Sequence, residues 1–373
     1  MIWTLFKWET YKLFHSKMTI IIVFLMVLLA ILMGMPLGRS QETKEIHNAM
    51  YSLDGSVIDN ALMQEMNEAI NWADPDWNKN NYKYRGVQYL VSLVADDTKR
   101  VYTADEFYEL VKNNQKLSTI ENKLTAKEMD WWELDKNKIK TPFTYISSFN
   151  ARTVVEYMLN ILLLLLLLAA TRVSTVFACE NRYKTDAIIL STKNGRWQTF
   201  VAKVFSSFVF ILIMAVVLTL TLVITVYFYN GLSGLYAIIQ MEFPISSYPF
   251  TFLEFFTVQL VILCTASILF ASISMALSAF LRNEIAVVGV MFGVYLALSF
   301  FYIPNSYRTL SQVMAMVPQS LISILSLVDN RLINIFGTFF TMYSFAPIVY
   351  VLASLVLCFV TYLFYRRCQV ASR

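Results

Sequence analysis

The chain has 373 residues, 57% of them hydrophobic and only 15% charged, with a formal net charge of +4. Soluble domains carry about 25% charged residues, so the composition excludes an ordinary soluble protein and points to a bilayer. Two histidines and four cysteines without a CxxC pair exclude a disulfide framework and a zinc site of the usual spacing.

The charge is unevenly placed. Residues 38–150 hold 14 Lys+Arg and 18 Asp+Glu, and the rest hold 16 and 8. The positive excess therefore sits with the apolar segments as an orientation signal and gives no reason to expect nucleic acid.

Residues 1–17 are rich in aromatic and basic residues. Ile2, Phe6 and Leu13, with Trp3 and Phe14 beside them, make an apolar stripe at helical spacing, with Glu9, Lys12 and Ser16 opposite. This predicts an interfacial helix on the cytoplasmic surface; an ordinary basic flank orienting the first span is the alternative. Residues 18–37 are uncharged and predict the first span, too long an apolar run for a signal peptide.

Residues 38–150 are polar and predict a mostly helical extracytoplasmic domain, with Thr103–Glu106 and Ser118–Glu121 as capping boxes. Its aromatic residues Trp72, Trp77, Tyr82, Tyr84, Tyr89, Trp131 and Trp132 fit core packing better than a ligand surface.

A second span is predicted over 153–179. Arg152 and Glu156 at its start are spaced for an ion pair. Arg172, near its far end, is placed to snorkel to the interface. A basic cytoplasmic loop, 180–203, follows, then spans at 204–229, 253–281, 285–303 and 345–365, uncharged but for Glu254 at the start of the second of these. The fifth contains Gly289 and Gly293, whose spacing gives a small face for helix packing or a dimer contact. Residues 309–328 are uncharged but contain Pro318. A crossing there would put Arg366 and Arg367 outside, so 304–344 is expected to form re-entrant or surface helices on the outer side. The expected fold is all-α with six transmembrane helices, both termini cytoplasmic.

No GxxxxGK[ST], GxSxG or HExxH pattern occurs. The chain has no phosphate-cradling loop of its own, and no charge lies deep in five of the spans, which argues against an ion-coupled carrier.

With the charge-poor first span and the 180–203 loop in view, the chain resembles the membrane subunits of ABC-2 type transporters. The match rests on Glu180, Lys184-Thr185, Leu190, Ser191-Thr192, Arg196 and Lys203, and departs from it in having Lys184 where such loops have glycine and no proline after Thr192. The resemblance implies a permease dimer, homo or hetero, with two copies of an ABC ATPase. ATP and Mg would be held by that partner and no cofactor by this chain. It also implies a coupling helix in the loop: Glu180, Lys184, Thr185, Asp186 and Arg196 would make polar contacts, and Tyr183, Ile188 and Leu190 would be apolar anchors. Export of an amphiphilic or hydrophobic substrate follows as the expected activity. A receptor that senses ligands through the 38–150 domain is the alternative. The Lys- and Asn-rich, Cys-poor composition fits a bacterial plasma membrane.

Overall fold

A computed structural model describes residues 2–36, 41–70, 81–95, 101–136, 138–177, 195–281, 283–301 and 303–367. Among them, five helices are long and apolar enough to cross a bilayer: Lys17–Gly34, Phe149–Phe177, Trp197–Asn230, Phe252–Leu281 and Met342–Arg366. Unbroken apolar runs favour helices because each backbone group is satisfied within its own segment. The sixth expected crossing, 285–303, is the 17-residue helix Glu284–Phe300, about 26 Å at 1.5 Å per residue. It is therefore shorter than a roughly 30 Å hydrocarbon layer. Asn283 caps it, accepting from the backbone N–H groups of Ile285 and Ala286.

The second long helix is the hub. Met158, Ile161, Leu162, Leu165 and Leu168 are fully buried, as are Phe210 and Ile211 of the third and Ile262 and Leu263 of the fourth. The first and last long helices are buried over only 22% of their apolar windows, against 61% for the second, so they leave broad faces for lipid or another chain. At Gly34 a Cβ would stand 2.8 Å from Cβ of Thr225, so glycine there lets the first and third helices touch.

The third long helix starts earlier than the charge pattern implied. It begins at Gly195, so residues 195–203, assigned to the loop by their basic residues, are its opening turns. Its 36 residues extend about 54 Å, well beyond one hydrocarbon layer.

No single helix runs through 309–328. Two short helices, Arg308–Ala315 and Pro318–Ile322, are followed by a 3-10 turn at Ile324–Val328. The residue before a proline is steered to extended backbone, and Val317 lies at φ −63°, ψ 137°. The interrupted backbone finds other partners: the Gln259 amide donates to Ile322 O at 2.7 Å, and the Ser246 hydroxyl donates to Leu327 O at 2.8 Å.

The all-α expectation is corrected by a hairpin, Ile333–Ile335 paired antiparallel with Thr338–Phe340. Phe336 and Gly337, at φ +50° and +88°, form its two-residue turn. Positive φ at both positions matches the twist of paired strands, and the β-branched and aromatic flanks suit them.

The polar segment forms a helical domain at one end of the bundle. Thr103 and Glu106 make the expected capping box. The second expected box, Ser118–Glu121, does not start a helix, because Ala104–Glu121 runs straight through Ser118. The break falls instead at Lys123, φ +51°. The Glu128 carboxylate then accepts from the backbone N–H and hydroxyl of Thr125, both at 2.8 Å. Trp132 is 1% exposed and donates to Asn330 O at 2.6 Å, so it serves the core. Trp72 and Trp77 lie outside the described residues.

Candidate functional site

The chain enters and leaves the 178–194 segment at one place, at the bundle end opposite the polar domain. Phe177 ends the second long helix, and Trp197 and Phe200 begin the third. The Phe177 and Phe200 ring centroids are 5.9 Å apart, Phe177 and Tyr365 5.5 Å, and Trp197 and Tyr362 5.0 Å. An aromatic cluster therefore ties both roots of the segment to the last helix.

Lys203 is the polar centre of this region. It is 2% exposed, and its ammonium donates to Val176 O at 2.7 Å. It stands 5.5 Å from the Phe177 ring centroid and 3.9 Å from Glu9 Oε2. A buried ammonium needs hydrogen-bond acceptors and a counter-charge, and these contacts supply both. Glu9 also accepts from Lys12 at 3.0 Å.

This arrangement keeps Leu13 and Phe14 of the expected stripe turned inward but corrects the placement of Glu9, which shares their face. Glu9, placed opposite the apolar stripe by sequence, is buried with Leu13, while Trp3 of the expected stripe is 65% exposed. Phe14 meets Phe210 edge-on at 5.0 Å, and Phe6 stacks on Trp3 at 5.3 Å. Helical spacing puts Glu9 on the Leu13 face, where Lys203 and Lys12 supply its counter-charges. Trp3, Trp8 and Tyr11 lie away from Glu9 and Leu13 and are exposed, so aromatic residues also cover the outer side of the helix.

Just before the loop, the second long helix carries a π-helical turn, Ala169–Val173. Ala169 O accepts from Ser174 N at 3.3 Å and from the Ser274 hydroxyl of the fourth helix at 2.8 Å. Ser278 donates likewise to Ser174 O. Such single π turns are frequent at functional sites. This one includes Arg172, whose side chain is half-buried.

Of the loop residues singled out by sequence, Glu180, Tyr183, Lys184, Thr185, Asp186, Ile188 and Leu190 lie outside the described residues, as does the side chain of Arg196. A family profile described as ABC-2 family transporter protein matches residues 3–367. The chain belongs to the ABC-2 transporter family. Comparison with curated proteins and with solved structures gives no match. As an ABC-2 permease it is a multi-pass membrane transport subunit that works with an ABC ATPase.

The far end of this ABC-2 permease has a second charged junction. Arg308 pairs with Glu128, which also accepts from Leu332 N at 3.2 Å. Burial pushes the Glu128 carboxyl up, but Arg308, Thr125 and the Leu332 N–H together hold it below its usual value. Sequence reading missed this residue, although Thr125–Glu128 is itself a capping box. Gly289 and Gly293 pack against nothing in the described chain: a Cβ at either would find no atom within 4 Å.

Proposed function

We propose that the chain is the membrane subunit of an ATP-driven exporter for an amphiphilic or hydrophobic cargo such as a peptide, a lipid-like molecule or a drug. In this reading, two copies of the ATPase, each holding ATP and Mg, dock against residues 178–194 and the exposed face of the N-terminal helix. The termini and that segment lie in the cytoplasm, and the polar domain lies outside. A second permease chain, the same or related, completes the pathway against the open Gly289–Gly293 face, with Glu284–Phe300 as the sixth crossing.

The Lys203 junction carries this reading. It fastens the N-terminal helix, both roots of the loop and, through aromatic rings, the last helix into one block. A push on the loop would then tilt long helices, whereas an orienting turn would need no such anchorage.

Thiol labelling on intact cells tests the topology. Leu117→Cys should react with an impermeant reagent, and Ser191→Cys only after permeabilisation. Labelling of Ser191→Cys from outside would end the proposal.

A further inference from the structure

The seam between the polar domain and the membrane helices holds an open cavity of about 320 Å³. Its walls come from the helix after the first span, the Arg85–Ser92 helix, the 145–149 strand-like segment and the 241–242 turn. Hydrogen-bond donors dominate its polar lining.

Three of those donors have no partner among the described residues. Arg85, half-exposed, makes no hydrogen bond or ion pair. Tyr145 is 3% exposed and its hydroxyl makes no hydrogen bond among the described residues, and Ser147 is 2% exposed with its buried hydroxyl orphaned. Leaving a buried hydroxyl unpaired costs about 1–3 kcal/mol, so the unmatched Ser147 hydroxyl in the cavity lining is unusual. Arg152 is a second guanidinium, already paired with Glu156 and Glu242, and Glu242 is the lone carboxylate in the lining. Glu242 is already engaged, accepting from Ser148 and from Arg152, both at 2.6 Å. Arg85 and Ser147 are left without an acceptor.

The remaining wall is apolar, with Ile46, Met50, Phe149 and Met241. The cavity lies where the second long helix begins, at the polar end of its apolar run. Gly86 keeps it built this way: a Cβ there would fall 1.9 Å from the Tyr145 hydroxyl.

We propose that this cavity binds the anionic, phosphate-type headgroup of an amphiphile. Arg85, Tyr145 and Ser147 donate to its oxygens, and the chain stem lies on the Met50–Met241 wall. The site stands whether or not the bound molecule is the cargo, and whether or not the chain exports.

Native mass spectrometry of the purified full-length chain tests it, with phosphatidylglycerol, diacylglycerol and inorganic phosphate as probes. Phosphatidylglycerol should stay bound and diacylglycerol should not. Arg85→Gln and Ser147→Ala should each weaken retention, by about tenfold for the arginine. Lys83→Gln, nearby but salt-bridged to Glu65 at 2.9 Å, should leave it unchanged. Tight Arg85-dependent binding of inorganic phosphate alone would keep the anion site but assign it to a free anion. Equal retention in both cavity variants, an equal loss in Lys83→Gln, or equal binding of diacylglycerol would overturn it. Unchanged melting temperatures of the variants confirm that any loss is local.

Discussion

Lys203 reaches to within 3.9 Å of Glu9, joining the third long helix to the N-terminal helix through charges that both helices bury. Each group is near the other, yet each also has its own partner, Val176 O for the lysine and Lys12 for the glutamate. The contact is therefore a brace within a small network.

Lys203→Met should loosen that brace. Loss of a charge-assisted hydrogen bond costs about 1.5–3 kcal/mol, and Glu9 keeps Lys12. The expected result is a lower melting temperature in detergent and a larger fractional loss of partner ATPase stimulation. Lys203→Arg should recover part of both. Unaltered stimulation in Lys203→Met, with the lower melting temperature, would leave the junction purely structural.

Glu128 sets a pH limit on docking of the polar domain. Its folded-state pKa lies below the ordinary 4.5. The stability it contributes is thus present above that value and is lost as pH falls through the lower folded value. Melting curves should drop as pH is taken below about 4.5, and Glu128→Gln should flatten that drop while lowering stability at pH 7 by about 2 kcal/mol.

Glu242 behaves in the opposite sense. Burial raises its pKa, with Ser148 and Arg152 opposing. Its contribution is full below the ordinary 4.5 and declines as pH rises through the raised folded value. Glu242→Gln should remove that decline, read as a flatter melting profile between mildly acidic and neutral pH.

Gly86→Ala should displace Tyr145, since the new methyl would meet its hydroxyl at 1.9 Å. Overpacking of this kind costs about 1–3 kcal/mol. Replacing the ring as well, in Gly86→Ala with Tyr145→Val, should restore part of the loss. A double-mutant cycle on thermal stability measures the coupling.

Gly289→Leu and Gly293→Leu should leave the chain's own melting temperature unchanged, because nothing in the described chain packs there. If a second permease occupies that face, both substitutions should shift the chain from dimer toward monomer in size-exclusion chromatography with light scattering.

Much of the architecture was legible because hydrophobicity acts residue by residue. Uncharged runs such as 204–227 have no stable alternative to helix in a bilayer, and Arg152 with Glu156 at i, i+4 form the expected pair at 2.7 Å. Boundaries were less legible where charge was used as the marker: Lys203 looked like loop and is buried helix. Capping boxes also mislead when propensity carries a helix through them, as at Ser118.

The sequence by itself determined that this protein lives in a membrane, that it carries a polar helical domain, and that it has no phosphate-cradling loop, since each follows from composition or local pattern. Only the tertiary structure decided that Glu9 is buried beside Lys203, where Glu128 and Arg308 meet, and which donors share a cavity at the domain seam. Those depend on charges and hydroxyls distant in sequence finding, or failing to find, partners away from water, and no local pattern encodes that pairing.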